Sequence, residues 1–198
     1  MTYHYKNKSR INLIIVLHGT GGNETSLVPL AQYIDENSSI LGIKGNIKEN
    51  GLNRYFKRIK PGIFDERSLL EETEKLNSFI NDFIADKKFE YSNIVIMGYS
   101  NGANILGSLL FRYTNAFKAA ILIRPMIPTK IIKPVNQEKQ KILITFSSND
   151  PLVKSQESQE LGNILINHNG LVDLQEYTSG HQINQIELEN IKEWYEKL

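Results

Sequence analysis

Short apolar runs, nearly without alternation, punctuate the chain at Leu13–Leu17, 94–97, Ala119–Ile123 and 142–146. This is the pattern of strands covered on both faces, as in a parallel sheet. Between them the apolar positions change to a spacing of three and four. Leu69/Leu70, Thr73, Leu76, Ile80 and Phe83/Ile84 predict a helix of about 20 residues with one buried face. Gly102, Ile105/Leu106, Leu109/Leu110 and Tyr113 predict a second, and Leu161, Ile164, Leu165 and His168 a third, stopped by Asn169-Gly170. Ile183, Glu187/Leu188, Ile191, Trp194/Tyr195 and Leu198 predict a docked C-terminal helix. A shorter strand at 40–43 and a final one at Leu171–Tyr177 complete the alternation.

Strands alternating with helices argue for an α/β fold, because parallel strands need crossover helices. Two stretches break the pattern. Residues 45–67 and 124–134 carry glycines, prolines and aromatics, and each directly follows a strand. Ligands of open α/β sheets bind at the carboxyl ends of strands, so these stretches are the expected pocket walls. There is no internal repeat, low-complexity tract or linker.

The composition narrows the possible chemistry. A chain of 198 residues, 40% hydrophobic and 23% charged with a net charge of +1, suits one globular domain spanning residues 1–198. It gives no reason to expect a nucleic acid partner. With no cysteine, disulfides, thiolate metal sites and a cysteine nucleophile are excluded. The four histidines, His4, His18, His168 and His181, show no His-x-x-x-His spacing, so neither a metal nor another cofactor is expected. Lys6, Lys8 and Arg10 precede an apolar run at 11–17, but Asn12 interrupts it and His18 stands where a signal peptide needs a small residue. No other stretch is long enough for a membrane anchor, so the cytoplasm is the expected compartment.

Gly98-Tyr99-Ser100-Asn101-Gly102 joins the strand at 94–97 to the helix that follows. In that context Gly-x-Ser-x-Gly is a nucleophile elbow, a sharp turn that exposes the serine hydroxyl and needs small flanking residues because strand and helix approach closely. A serine needs a base, and in this fold type the acid and then the histidine follow it along the chain. Asp150 follows the strand at 142–146, and His181 follows Leu171–Tyr177. In His18-Gly19-Thr20-Gly21-Gly22-Asn23, after the first strong strand, glycines let backbone N–H groups approach a developing negative charge. The backbone N–H groups of Thr20 and Asn101 are the candidate oxyanion donors.

Ordinary readings compete with these. Ser100 could be a helix N-cap, Asp150 the start of a turn before Pro151, with Asp173 its weaker rival, and His181 a surface histidine. The completed set outweighs each of them. His18 reads as a structural residue of the oxyanion loop, and His168 as a residue at a helix C-terminus. The cluster Arg54, Lys57, Arg58 and Lys60 with Tyr55 and Phe56 reads as a solvated loop at the pocket mouth rather than a nucleic acid site.

Taken together, residues 17–23, 98–104, Asn149-Asp150-Pro151 and Gly180-His181 resemble the α/β-hydrolase phospholipase/carboxylesterase family, which includes the acyl-protein thioesterases. Residues 54–66 and Arg124-Pro125-Met126 resemble in particular its small bacterial carboxylesterases linked to hydroquinone stress, and the similarity spans nearly the whole chain. The resemblance implies an α/β-hydrolase fold, a mostly parallel central sheet with helices on both faces and no large lid domain. It also implies a serine hydrolase acting on carboxylic esters in a detoxification setting. Thr20 stands where the thioesterases usually carry leucine, so their acyl-chain preference does not transfer.

The expected reaction is therefore cofactor-independent hydrolysis of a small-molecule ester through an acyl-enzyme on Ser100, with His181 as base and Asp150 as its orienting acid. Phe64, Tyr99, Met126, Ile127 and Pro128 are the expected pocket residues. The competing readings are a thioesterase or lysophospholipase for longer acyl chains, and a non-catalytic binding module on a hydrolase scaffold. A homodimer is compatible with the sequence, which carries no sign for or against it.

Overall fold

The computed structural model describes residues 1–114 and 117–198. Its centre is a seven-stranded sheet in the order β1-β3-β2-β8-β9-β10-β11, formed by β1 (Thr2–Lys6), β2 (Leu13–Leu17), β3 (Ser39–Lys44), β8 (Ile94–Tyr99), β9 (Ala119–Ile123), β10 (Lys141–Ser147) and β11 (Leu171–Tyr177). All neighbours are parallel except β1, which lies antiparallel on β3 at one edge. Two small antiparallel hairpins, β4 (Ile47–Glu49) with β5 (Leu52–Arg54) and β6 (Arg58–Lys60) with β7 (Ile63–Phe64), occupy the stretch between β3 and the next helix.

Five helices cover the sheet: α1 (Val28–Ile34), α2 (Glu66–Lys87), α3 (Asn101–Arg112), α4 (Ser155–Ile166) and α5 (Gln185–Glu196). Successive residues of each strand point to opposite faces, which gives two cores. Leu13, Ile15 and Leu17 of β2, with Ile94 and Ile96 of β8, pack against Leu69, Leu76 and Ile80 of α2, Leu106 and Leu109 of α3, and Leu161 and Leu165 of α4. Ile14, Val16, Val95 and Met97 pack on the other face beneath Val28, Ala31 and Ile34 of α1 and Ile191 of α5.

The helix ends follow local chemistry. Asp65 caps α2 by accepting from the Ser68 N–H at 3.0 Å, and Asn184 caps α5 by accepting from the Glu187 N–H at 2.8 Å. The helix read from 183 begins at Gln185, and the third predicted stripe ends before His168, which lies just past α4 with its Nδ1 at 2.7 Å from the Ile164 carbonyl. β1, α1 and the two hairpins add elements to those read from periodicity.

One reading is corrected. The loop carrying Arg54, Tyr55 and Phe56 is not solvated: all three are buried, the two aromatic rings completely. The Tyr55 hydroxyl donates to the Ile43 carbonyl at 2.5 Å and also accepts the His18 N–H at 3.1 Å, and the Phe56 ring packs edge-on against Phe64 at 5.0 Å. Apolar contact and satisfied hydroxyls draw this segment inward, leaving Lys57 and Lys60 outside.

Candidate active site

The register of the sheet brings five strand ends to one place. Leu17 pairs with Gly98, Tyr99 with Ile123, Ile123 with Thr145, and Ser147 with Tyr177. The carboxyl ends of β2, β8, β9, β10 and β11 therefore lie side by side, and the residues after them are Thr20, Ser100, Arg124, Asp150 and His181.

Ser100 sits between β8 and α3 at φ 51° and ψ −112°, a conformation that L-residues rarely adopt. Its N–H is tied to the Ile123 carbonyl at 2.8 Å. The glycines around it are required by space. A Cβ on Gly98 would lie 2.4 Å from the Gly102 carbonyl oxygen, and one on Gly102 would lie 2.1 Å from the Leu17 carbonyl oxygen.

The Ser100 hydroxyl lies 3.0 Å from His181 Nε2, and His181 Nδ1 lies 2.7 Å from Asp150 Oδ2. The other carboxylate oxygen, Asp150 Oδ1, accepts the backbone N–H groups of Leu152 and Val153 at 2.8 and 3.1 Å. With its oxygens held from both sides, the buried Asp150 carboxylate accepts the Nδ1 proton, which leaves Nε2 free to accept from the serine. Its rival Asp173 is exposed on β11, where its carboxylate accepts from Gln175 Nε2 at 3.3 Å.

Thr20 and Asn101 flank the serine. The Asn101 N–H is the first of α3 and has no intrahelical acceptor, and among the described residues the Thr20 N–H has none either. The Asn101 side chain accepts the Tyr55 N–H at 2.7 Å through Oδ1, and its buried Nδ2 is left without an acceptor. The glycine loop around Thr20 is held from β5: the Gly21 N–H donates to the Asn53 carbonyl at 2.8 Å, Asn53 Nδ2 donates to the Gly22 carbonyl at 2.8 Å, and Arg54 Nη1 donates to Thr20 Oγ1 at 2.7 Å.

His18 supports the same loop. Its Nε2 accepts the Gly45 N–H at 3.1 Å, so the ring proton resides on Nδ1 and is donated to the Gly19 carbonyl at 2.6 Å. Burial lowers its proton affinity below the ordinary value, against the opposing hydrogen bond to Gly19. Both nitrogens are committed, which makes His18 a structural histidine.

The cleft above these groups measures about 300 Å³ and contains Ser100, His181, Thr20 and Asn101, with Phe64, Tyr99 and Met126 among its walls. Ile127 and Pro128 are placed elsewhere, in an adjoining hollow that shares Phe64 and Met126 with the cleft. The chain turns away after Met126, whose N–H is fixed by Asn104 Oδ1 at 2.8 Å. Leu152, Val153, Arg54 and Arg58 also line the cleft.

Three residues of the sequence motifs, Tyr99, Asn149 and Arg124, have positioning roles that were not read from sequence. Tyr99 donates its hydroxyl to the His181 carbonyl at 2.8 Å. Asn149 Oδ1 accepts the Gly180 N–H at 2.8 Å, joining the acid loop to the histidine loop. Arg124, fully buried, pairs through both terminal nitrogens with Glu187 at 2.7 and 2.6 Å and donates to Ser179 Oγ and to the Gly180 and Gln182 carbonyls. Its Nε stands 3.9 Å from Asp150 Oδ2. An arginine directly after an apolar strand was the available sign.

Among the described residues no group of three or more His, Asp or Glu side chains is placed to hold a metal ion, and no helix is long and apolar enough to cross a membrane.

Residues 56–198 match the model of a protein family described as Phospholipase/Carboxylesterase. The chain is 38% identical over 197 residues to the hydrolase-family protein MhqD of Bacillus subtilis (strain 168), covering 100% of this chain and 98% of that one. A Bacillus cereus carboxylesterase of known structure is 43% identical and superposes with a TM-score of 0.95 over 100% of this chain and 94% of its own. YahD, solved with malic acid, is 28% identical with a TM-score of 0.92, covering 99% and 98% of the two chains. On this fold and these matches, the chain belongs to the phospholipase/carboxylesterase family of hydrolases.

Proposed function

We propose that the chain hydrolyses small carboxylic esters through a Ser100–His181–Asp150 triad. The observation that carries this reading is the unbroken hydrogen-bonded line from the Ser100 hydroxyl through His181 to Asp150, set on a serine held in a strained turn. His181 Nε2 takes the hydroxyl proton as Ser100 Oγ attacks the ester carbonyl carbon. The carbonyl oxygen becomes an oxyanion that accepts from the Thr20 and Asn101 N–H groups, each worth about 3 kcal/mol in the transition state. The C–O bond to the alcohol then breaks, and His181 passes its proton to the departing oxygen. Asp150 balances the imidazolium throughout. Water repeats the sequence against the acyl-enzyme and releases the acid.

A cleft of about 300 Å³ is small for a ligand site, and guanidinium groups stand in its walls, which favours short acyl groups over the long chains of a lysophospholipase or thioesterase. The malic acid in the YahD structure is a small polar acid and agrees with this preference. A binding module has no use for the strained elbow. The cytoplasm is the compartment this reading assumes.

A series of p-nitrophenyl esters from two to sixteen carbons tests the assignment. We expect kcat/KM to peak at short chains and to fall by at least about a thousandfold in Ser100→Ala. A maximum at long chains would favour the thioesterase or lysophospholipase reading. Wild-type rates in Ser100→Ala would remove the triad.

A further inference from the structure

We propose that the esters taken by this cleft carry a carboxylate away from the scissile bond, and that Arg54 and Arg58 bind it. The inference rests on the ester hydrolase reading of Ser100 and names the substrate class for that site.

Arg54 is 4% exposed yet lines the cleft that contains Ser100 and His181. Its Nη1 and Nε are used internally, by Thr20 Oγ1 at 2.7 Å and by the Phe56 carbonyl at 3.3 Å. Nη2 has no hydrogen-bond partner among the described residues, and the Arg54 side chain lines the cleft, so the guanidinium has donors to spare at that wall. Arg58, half-buried, lines the same wall.

One carboxylate serves both guanidinium groups. Glu49 lies 2.5 Å from Arg58 Nε and 3.7 Å from Arg54 Nε. Although burial pushes the Glu49 carboxyl up, the Arg58 hydrogen bond and the two positive charges hold it below the usual range, so it stays ionised. Burial, and then the Arg58 charge, lower the proton affinity of Arg54. Two cations and one anion leave a single positive charge in the cleft wall.

A guanidinium kept only to brace the Thr20 loop would have no need of donors to spare. A planar fork with one net positive charge is instead matched to a carboxylate, which accepts two parallel N–H bonds. The cleft volume suits a short acyl or alcohol group that ends in such a carboxylate. The contact is remote from the breaking bond, so it acts mainly through KM.

The test compares monomethyl glutarate with methyl 5-methylhexanoate, in which an isopropyl group replaces the carboxylate, by following acid release. We expect the wild-type protein to prefer the anionic ester by roughly tenfold or more in kcat/KM, the scale of one charge-assisted hydrogen bond, and added salt to erode the preference. Arg58→Gln, at the half-buried rim, should bring the ratio towards one with the change in KM. Arg54→Gln should also bring it towards one while lowering kcat for both esters, because it releases the Thr20 loop, and Arg54→Lys should keep part of the ratio. Equal turnover of the two esters by the wild-type protein would overturn the inference alone, as would variants that slow both esters by the same factor. Absence of any Ser100-dependent hydrolysis of either ester would overturn the reading beneath it as well.

Discussion

Ser100 holds a backbone conformation, φ 51° and ψ −112°, that costs a residue with a side chain about 1–3 kcal/mol. Glycine at this position escapes that strain and alanine does not. Ser100→Gly should therefore be more stable than Ser100→Ala by about 1 kcal/mol in chemical denaturation, with both variants inactive. Equal stability would mean that the elbow is not strained. His18 gives a second prediction at this scale. Burial lowers its proton affinity from an ordinary value near 6.5. As pH falls through that value, the unfolded chain takes up a proton that the folded chain withholds. The stability contributed by neutral His18 is thus complete above pH 6.5 and declines below it, towards the lower folded value. In His18→Gln, whose amide oxygen can still accept the Gly45 N–H, unfolding measured against pH should lose part of this slope.

The elements around the cleft differ in how far the sequence discloses them. β2, β8 and β9 are legible because strands buried on both faces can hold only apolar residues, which write an unbroken run. The β4–β5 hairpin has three-residue strands, too short to write a period, and its buried position is an arginine, so periodicity is silent there. Its sign is the turn: Asn50-Gly51 adopts φ 51° and 80°, the left-handed pair that favours this dipeptide in a tight hairpin. That hairpin holds the Thr20 loop through Asn53 and Arg54, so missing it hides the support of the candidate site while leaving Thr20 itself in view. α5 contributes in a similar way. Glu187, fully buried in its first turn, neutralises Arg124 and so holds the loop that carries His181. Glu187→Gln removes the two-point partner of the guanidinium and leaves Asp150, at 3.9 Å, as its remaining counter-charge, so it should cost about 3 kcal/mol in urea denaturation. Turnover should fall with it, because the 179–182 loop loses its anchor.

Across the whole molecule, the site is a product of parallel topology. Each of five neighbouring strands ends at the same edge and contributes one residue there: Thr20, Ser100 and His181 line the cleft, while Arg124 and Asp150 stand outside its lining. The candidate triad is readable because fold class and strand ends together fix where a nucleophile, an acid and a base can stand. Arg124 with Glu187, 63 positions apart, is not, since nothing local in either segment encodes the pairing. The same holds for the burial of Arg54, which depends on Thr20 and Glu49 closing around it. The central claim is that Ser100 is a nucleophile activated by His181. Its most direct test is reaction with a fluorophosphonate probe, followed by mass spectrometry of the digested protein. One adduct is expected, on the peptide containing Ser100, absent from Ser100→Ala and strongly slowed in His181→Ala. An unlabelled Ser100 in protein that still hydrolyses esters, or an adduct that persists in Ser100→Ala, would contradict it.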